Sequence, residues 1–371
     1  MKNTISKKTW QEWTVAITGM NCRPDNPGPG YPVARCLQDS DIFEGKIIGL
    51  GYDALDMGLH IGGIADNGYL LPYPMIGADA LWNRLCEILD ENKVDVIIPC
   101  LDAELLNFMT IANRLEKRGV RLLIPDRNMF IARSKDHLPE LCDKVGIKTP
   151  PCTRVTDPGF FFRCAEEGHP YPLEIKGIFY EAFIAHNPEE ACVFFNKIAA
   201  KWGYPILVQP FIEGEEYNLV AVGDGKSNMI GAVSMCKRAL TDKGKAWAGV
   251  STLDLELHEM TAKLIAELQW RGPLEVEVLR DKKGDTYLIE INPRFPAWVY
   301  LTHGVGRNLP IALLQIIAGE SNFDLRPISA GTMFIRYAQE LIMDISALEC
   351  LSMHGQAVLC DENSNEAGSI L

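Results

Sequence analysis

The chain has 371 residues, of which 47% are hydrophobic and 23% are charged. These proportions are typical of a soluble globular protein and exclude wholesale disorder, and the length predicts two or three domains. The formal net charge is −13. Such an acidic surface excludes general binding to nucleic-acid phosphates, but it leaves room for a local basic pocket that binds a small anion.

The sequence carries no signal for a membrane or for secretion. No run of about 18 apolar residues occurs, so no transmembrane helix is predicted. The N-terminal segment MKNTISKKTWQEW lacks the apolar core of a secretory signal. The eleven cysteines include no CxxC pair, which favours reduced, buried thiols in a cytoplasmic protein. A zinc site and a catalytic thiol stay open as alternatives.

The first part of the chain alternates predicted strands and helices. The predicted strands are Thr14–Thr18, Lys46–Gly51, Val94–Pro99 and Arg121–Pro125. A helix is predicted to begin within Pro32–Leu37, and two further helices are predicted at Ala78–Glu91 and Asp102–Lys117. Such alternation predicts a parallel, Rossmann-like sheet with helices on both faces. Ligands bind such sheets at the carboxyl ends of the strands, which here are Gly19–Asn26 and Pro99–Glu104.

The loop Gly19–Gly30 lacks the spaced glycines of a dinucleotide-binding motif, so a nicotinamide enzyme is disfavoured. Its glycines and prolines shape a rigid turn before a helix, which either holds an anion or polar substrate or serves only as a tight connection.

From about Asn128 the pattern changes to antiparallel hairpins mixed with helices. The predicted strands are Leu173–Ile175, Ile206–Gln209, Tyr217–Val222, Met229–Val233, Leu274–Leu279 and Thr286–Ile291. The predicted helices are Ser134–Gly146, with Ser134 as N-cap, Pro188–Trp202 and Leu255–Leu268. We therefore predict an N-terminal α/β domain over 1–127 and an α+β domain over 128–325, with a small subdomain at about 150–210. A strand and helix segment with a polar tail occupies 326–371.

A predicted hairpin at Gly272–Arg294 contains the most informative polar residues. Alternate residues of a strand share a face, so Glu275 lies with Glu277, and Glu290 lies with Asn292. Pairing of the two strands would bring Glu277 near Glu290. Two carboxylates and a carboxamide form the all-oxygen set that Mg²⁺ prefers. The alternative is a solvent-facing strand, which the apolar run around Glu290 disfavours because a buried carboxylate needs a partner.

The motif EINPR at Glu290–Arg294, together with the order of the segments around it, resembles the ATP-grasp superfamily. The similarity is greatest to the branch that contains the carbamoyl-phosphate synthase large subunit and biotin carboxylase. It covers residues 128–320, and the preceding segment resembles the N-terminal α/β domain of that branch. The resemblance implies a two-subdomain ATP-grasp fold that binds ATP with Mg²⁺ or Mn²⁺.

The resemblance also implies roles for individual residues. Lys135 matches a basic residue ahead of the nucleotide cleft, and Lys176 matches the lysine that reaches the ATP phosphates. The segment Gln209–Ile212 matches the hinge that receives adenine, with Phe211 packing on the ring. Glu216 matches the acid that binds the ribose hydroxyls. Glu277, Glu290 and Asn292 match the three metal ligands, and Arg294 matches the arginine that steadies the transferred phosphoryl group.

Further positive charge precedes the metal hairpin, at Lys237 and Arg238 and then at Lys243 and Lys245. We expect Lys135, Lys176, Lys237, Arg238 and Arg294 to converge on one cleft, and Asp242–Gly249 resembles the loop over the reacting phosphate. One departure concerns the lid: the residues after Lys176–Gly177, IFYEA, contain no glycine cluster. The backbone amides that cover the β- and γ-phosphates in similar proteins are therefore missing or replaced.

These observations favour an ATP-dependent carboxylate–amine ligase that works through an acyl phosphate and releases ADP and phosphate. Its catalytic residues would be Lys176, Lys237, Arg238 and Arg294. An ATP-binding sensor or partner subunit with little turnover is one alternative, and a bicarbonate-phosphorylating carboxylase or carbamoyl-phosphate synthase-like enzyme is another. The expected partners are small carboxylates and amines. The oligomeric state stays open, and a homodimer is common among similar proteins.

Substrate choice is expected to depend on the loops Asn21–Asn26, Tyr73–Met75 and Trp298–Arg307, where His303 and Arg307 are candidates to face the acceptor. A satisfied polar core position is the alternative for His303.

Overall fold

The structure is a computed structural model that describes residues 9–178 and 181–358. Phe179 and Tyr180 of the glycine-poor segment and the polar tail Asp361–Leu371 lie outside the described residues. The chain divides into two compact units, which are described separately below. The first unit comprises Met1–Arg127, Leu219–Glu275 and Asn292–Leu371, and the second comprises Asn128–Asn218 and Val276–Ile291.

Fifteen strands occur in the part of the chain that the structure describes. They are β1 (Thr14–Thr18), β2 (Lys46–Gly51), β3 (Asn67–Leu70), β4 (Val96–Ile98), β5 (Thr153–Val155), β6 (Leu173–Lys176), β7 (Ala182–Ala185), β8 (Ile206–Pro210), β9 (Gly214–Asp224), β10 (Met229–Leu240), β11 (Ala246–Thr252), β12 (Arg271–Asp281), β13 (Thr286–Asn292), β14 (Met333–Ile335) and β15 (Gln356–Val358).

Eleven α-helices occur in the same described residues. They are α1 (Gly30–Gln38), α2 (Ala78–Glu91), α3 (Asp102–Lys117), α4 (Arg127–Ala132), α5 (Leu138–Val145), α6 (Phe160–Arg163), α7 (Pro188–Trp202), α8 (Leu255–Leu268), α9 (Tyr300–Gly304), α10 (Leu309–Ala318) and α11 (Ile345–His354). No helix of the described residues is long and apolar enough to cross a membrane.

The first sheet has the order β15-β3-β2-β1-β4. Strands β1 to β4 run parallel, and β15 pairs antiparallel with β3 at the edge. The chain moves outward from β1 to β2 and β3 and then returns to place β4 on the other side of β1. The strand order therefore reverses between β1 and β4, and the carboxyl ends of these two strands form the usual ligand-binding edge of such a sheet.

The parallel sheet is buried because its strands are continuous apolar runs. All five residues of β1 are buried, and so are the three residues of β4. Helix α2 covers the sheet with Leu81, Leu85 and Ile88, which recur at helical spacing on one face. The predicted parallel sheet is thus confirmed, and it places the loops after β1 and β4 at a common edge.

A second sheet has the order β13-β12-β9-β10-β11-β14, and a third has the order β5-β8-β6-β7. In the third sheet all observed pairs are antiparallel. One face of the third sheet packs on α6 and α7 through a separate apolar core that contains Phe161, Phe195 and Ile198. Helix α7 begins at an N-cap: the Asn187 side chain accepts a hydrogen bond from the Glu190 N–H at 2.9 Å.

Two predicted elements are wrong. Of the predicted strand Arg121–Pro125, only Arg121 forms a bridge, with Val96 of β4, because β4 is only three residues long and Pro125 has no N–H to donate. The predicted helix Ser134–Gly146 begins at Leu138 rather than after Ser134. The Ser134 hydroxyl contacts Asp136 and His137 instead of a backbone N–H.

Candidate active site

In the second unit, strand register brings Lys176, Glu174 and Gln209 to one face of the third sheet. Glu174 lies opposite Gln209 across β6 and β8, and Lys176 follows Glu174 two residues later on the same face. The Lys176 ammonium lies 2.9 Å from Glu174 Oε2, and the lysine side chain is only 7% exposed. A buried ammonium needs such a counter-charge, so the predicted phosphate-binding lysine is held in place by its neighbour.

Cys152 lies beside this group. Burial raises the pKa of the Cys152 thiol, while Lys176 and a hydrogen bond with Gln209 act in the opposite direction. A thiol with a raised pKa is a poor nucleophile at neutral pH, which disfavours a catalytic role for Cys152. The ten cysteines of the described residues are all free thiols.

The predicted adenine hinge follows β8. The backbone N–H of Phe211 donates to the Pro172 carbonyl at 3.0 Å, while the Phe211 ring is 36% exposed. Ile212 and Glu216 are half-buried. An exposed aromatic ring on a fixed backbone can pack against a planar base.

Two predicted metal ligands, Glu277 and Glu290, also belong to the second unit, and both are half-buried. Lys135, which lies between α4 and α5, places its ammonium 3.4 Å from Glu290 Oε1. Asp136 next to it is tied to Arg154 at 3.1 Å, which fixes this stretch of backbone. The structure therefore brings two of the predicted site residues together, since the Lys135 ammonium is the charged partner of the Glu290 carboxylate.

The first unit contains a carboxylate that the sequence analysis placed beside Glu277 without assigning a role, namely Glu275. Its side chain is 5% exposed. Glu275 accepts hydrogen bonds from Asn292 Nδ2 at 3.0 Å and from Trp298 Nε1 at 2.6 Å, and Arg294 Nη1 lies 3.5 Å away. One buried acid thus fixes Asn292 and Arg294, two residues of the EINPR motif.

Arg294 is held on its other side by Asp102, the first residue of α3. Both Nε and Nη2 of Arg294 lie 3.2 Å from Asp102 Oδ2, and Nη1 also donates to the Phe295 carbonyl. The guanidinium is 11% exposed. Asp102 follows β4 at the carboxyl edge of the parallel sheet, so the edge predicted to bind ligands contains the predicted phosphoryl-binding arginine.

A fully buried acid, Glu104, supports this edge. Its carboxylate accepts hydrogen bonds from the hydroxyls of Thr18 and Tyr52 and from the N–H groups of Cys100 at 2.8 Å and Leu101 at 2.9 Å. These donors come from the ends of β1, β2 and β4. Glu104 therefore ties together the loops on which Asp102 and Arg294 depend.

Exchanging Glu104 for glutamine is expected to weaken the pH dependence of stability. Burial raises the pKa of the Glu104 carboxyl above its usual value of 4.5, although its hydrogen bonds oppose the rise. Such a group contributes fully below its unfolded-state pKa, and the contribution is lost as pH rises through its folded-state pKa.

The free energy of unfolding should be measured with urea over a pH series that starts below 4.5. As pH rises, the wild type should lose stability relative to E104Q. Glu116→Gln, an exposed acid on the same helix, should follow the wild type. Parallel curves for E104Q and the wild type would contradict the prediction.

The other predicted cations of the first unit belong to β10 and to the loop that follows it. Lys237 and Arg238 lie near the end of β10, where the pairing with β11 is irregular, and the Arg238 guanidinium contacts Cys236 Sγ at 3.9 Å. Lys243 pairs with Asp25 at 2.5 Å. The loop predicted to cover the reacting phosphate therefore contacts the loop Asn21–Asn26, on which substrate choice was predicted to depend.

His303 and Arg307 are engaged in structural contacts. The His303 ring stacks on Tyr300 and lies 3.3 Å from the Asn308 amide. Arg307 donates to the carbonyls of Ala232 and Arg326. These partners match the alternative of a satisfied polar position for His303, and a substrate contact for either residue stays a prediction.

The donor atoms of the predicted metal ligands are of the kind that hard divalent cations prefer. Carboxylate oxygens of Glu277 and Glu290 and the amide oxygen of Asn292 are all hard donors, which fit Mg²⁺ or Mn²⁺. Glu275 holds the Asn292 amide by its nitrogen at 3.0 Å, which fixes the orientation of that side chain. Within residues 9–178 and 181–358, no group of three or more His, Cys, Asp or Glu side chains is arranged to hold a metal ion by itself.

The fold and part of the sequence are similar to those of ATP-grasp proteins. Residues 204–339 match the family model described as an ATP-grasp in the biosynthetic pathway with Ter operon. The chain is 25% identical over 223 residues to the carbamoyl phosphate synthase large chain of Pyrococcus furiosus, a match that covers 57% of this chain and 21% of that protein. It thus spans about a fifth of the length of the curated relatives it matches.

Solved structures share the fold. The biotin carboxylase domain dimer of Hydrogenobacter thermophilus 2-oxoglutarate carboxylase, in complex with MgADP, ADP and bicarbonate, is 20% identical with a TM-score of 0.63 over 83% of this chain and 70% of its own. The L-amino acid ligase of Bacillus licheniformis is 16% identical with a TM-score of 0.62 over 83% of this chain and 74% of its own. The predicted fold class is confirmed.

The predicted resemblance to the ATP-grasp superfamily, and to its branch with carbamoyl-phosphate synthase and biotin carboxylase, is also confirmed. The match over residues 204–339 supports an ATP-grasp domain in that part of the chain. The roles assigned to individual residues and the three predicted domain ranges stay predictions.

Proposed function

We propose that the chain is an ATP-dependent carboxylate–amine ligase. The observation that carries the proposal is the binding of Arg294 by two acids, Asp102 and Glu275, the second of which also holds Asn292. Desolvating a guanidinium and two carboxylates is costly, and an arginine fixed in this way is ready to stabilise charge that develops in a reaction. A protein that only bound nucleotide would not need this arrangement.

In the proposed reaction the nucleotide is held by residues of the second unit. Lys176 binds phosphate oxygens, the Phe211 ring packs on adenine, backbone groups from Gln209 to Ile212 contact the edge of the base, and Glu216 binds the ribose hydroxyls. The metal, Mg²⁺ or Mn²⁺, when bound by Glu277, Glu290 and Asn292, supplies neutralisation of phosphate charge. The chain contributes positioning and fixed positive charge rather than acid–base chemistry.

The proposed ligase reaction has two steps, phosphorylation of the carboxylate and attack by the amine. A substrate carboxylate oxygen attacks the γ-phosphorus, the bond to the β-phosphate oxygen breaks, and ADP leaves. Arg294, with Lys237 and Arg238 as further candidates, stabilises the transferred phosphoryl group. An amine nitrogen then attacks the acyl carbon, loses its proton to solvent, and inorganic phosphate leaves with the formation of an amide bond.

Exchanging Glu290 for glutamine tests the proposal. Phosphate release should be measured with a panel of carboxylate–amine pairs, and E290Q should lower it by at least about tenfold because a metal-binding charge is lost. Raising the Mg²⁺ or Mn²⁺ concentration should recover part of the loss. Glu167→Gln, an exposed acid of the same unit, should match the wild type, and unchanged turnover in E290Q would refute the metal assignment.

The glycine-poor segment after Lys176 favours a second candidate, an ATP-binding sensor or partner subunit with little turnover. Glu181 at the end of that segment is held by Lys201 at 2.7 Å and by Trp202 at 3.3 Å. Nucleotide-dependent stabilisation without ADP formation over the whole substrate panel would support this candidate. Phosphate release with bicarbonate alone would support the carboxylase or carbamoyl-phosphate synthase-like alternative. A homodimer and a cytoplasmic location also stay proposals.

A further inference from the structure

The ion pair between Glu174 and Lys176 would be altered by a bound nucleotide, because Lys176 is proposed to bind the phosphates. The Glu174 side chain is 27% exposed and lies 2.9 Å from the Lys176 ammonium. Among the residues that the structure describes, Lys176 is the only charged partner of Glu174. A phosphate oxygen on Lys176 would compete with Glu174 for the N–H groups of that ammonium and would weaken the pairing of this partly buried carboxylate with its cation.

A carboxylate in that position needs a new N–H donor. An ionised carboxylate only accepts hydrogen bonds, and leaving it without one costs stability. Nearby phosphates carry the same charge and cannot serve. The ribose hydroxyls are proposed to bind Glu216, so the base is the part of the nucleotide that remains. Glu174 lies directly opposite Gln209, the first residue of the segment proposed to receive the edge of the base.

Bases differ at this edge. Adenine presents an exocyclic amine, which donates, where guanine and hypoxanthine present an oxygen, which accepts. The Gln209 side chain is buried, and its amide nitrogen donates to the Pro150 carbonyl at 3.5 Å. The Glu174 carboxylate can only accept hydrogen bonds, so opposite an exocyclic oxygen it would place two acceptors together.

We propose that Glu174 is a specificity-determining residue whose carboxylate accepts the exocyclic amine of adenine and so selects ATP over 6-oxopurine nucleotides. This inference rests on the proposed function for its nucleotide-binding residues, although not on the ligase reaction. Glu174 thus has two partners in turn: it holds Lys176 before the nucleotide binds, and it recognises the base afterwards.

The experiment compares the binding of ATP with that of inosine triphosphate, which differs at the 6-position of the purine. Isothermal titration with Mg²⁺ should give a Kd for inosine triphosphate at least about tenfold higher in the wild type, as expected for one lost charged hydrogen bond. Glu174→Gln should reduce the ratio to about threefold or less, mainly through tighter binding of inosine triphosphate, because glutamine can donate to the 6-oxygen.

Two comparisons keep the result interpretable. Glu189→Gln, an exposed acid of the same unit, should keep the wild-type ratio. The wild type alone gives a test that needs no folded variant: purine riboside triphosphate, which has no 6-substituent, should bind more weakly than ATP and more tightly than inosine triphosphate.

Equal affinities of the wild type for ATP and inosine triphosphate, or an unchanged ratio in a folded Glu174→Gln, would overturn the inference. Binding of neither nucleotide would overturn the proposed function as well. Selective ATP binding without phosphate release from any substrate pair would overturn the ligase reaction and leave the role of Glu174 standing.

Discussion

Replacing Arg294 by lysine is expected to lower kcat for ATP-dependent phosphate release by about 10²–10³-fold, the usual effect of removing a fixed donor to developing charge. The KM for ATP should change little, since Arg294 is proposed to act on the transferred group. Lysine keeps the charge but loses the planar fork by which Arg294 contacts Asp102 and Glu275.

A second variant separates catalysis from folding. Arg294→Met would remove the ion pair between Arg294 and the buried Glu275, so the free energy of unfolding should fall by about 3–5 kcal/mol. Adding Glu275→Gln should recover part of that stability while activity stays lost. Arg118→Lys, an exposed arginine paired with Asp90, should match the wild type. Wild-type kcat in a folded Arg294→Lys would remove Arg294 from the mechanism.

Replacing Lys176 by methionine is expected to raise the Kd for ATP by about 10–100-fold, the range of a lost charged hydrogen bond. Methionine preserves the length of the side chain, so the apolar contacts of this buried position stay. Titration calorimetry with ATP and with adenosine distinguishes the cause, because adenosine has no phosphates and its affinity should change much less.

The same replacement deprives Glu174 of its cation, which weakens folding independently of nucleotide. Pairing Lys176→Met with Glu174→Gln should restore stability without restoring ATP affinity. Lys201→Met, at an exposed lysine that pairs with Glu181, provides the control. An unchanged Kd for ATP in Lys176→Met would show that the phosphates bind elsewhere.

The elements predicted from the sequence with correct bounds are those whose pattern is local. Strands β1 and β2 are short apolar runs, and helices α2, α3 and α7 carry their apolar residues at helical spacing. Strands β14 and β15 were not predicted, because each has only three residues and pairs with a strand far away in the chain. Ser134 has the chemistry of an N-cap, but its neighbours Asp136 and His137 compete for its hydroxyl.

In the candidate site, too, local patterns could be predicted from the sequence and long-range contacts could not. Alternation within a strand is enough to group Glu275 with Glu277, and a motif is enough to identify Arg294. The contact between Arg294 and Asp102 joins residues 192 positions apart, and no periodicity reports it. Glu104 looks like any helical acid in the sequence, and only the arrangement of the strand ends shows why it is buried.

Strand β15 has a consequence for synthesis of the protein. Residues 356–358 complete the edge of the first sheet by pairing with β3, and the Gly355 carbonyl accepts from Arg84 at 2.7 Å and from the Leu70 N–H at 2.8 Å. On the ribosome, β3 emerges long before its partner. Its open edge is therefore exposed to other chains until residues 356–358 have left the ribosome, which is the period when a chaperone would protect it.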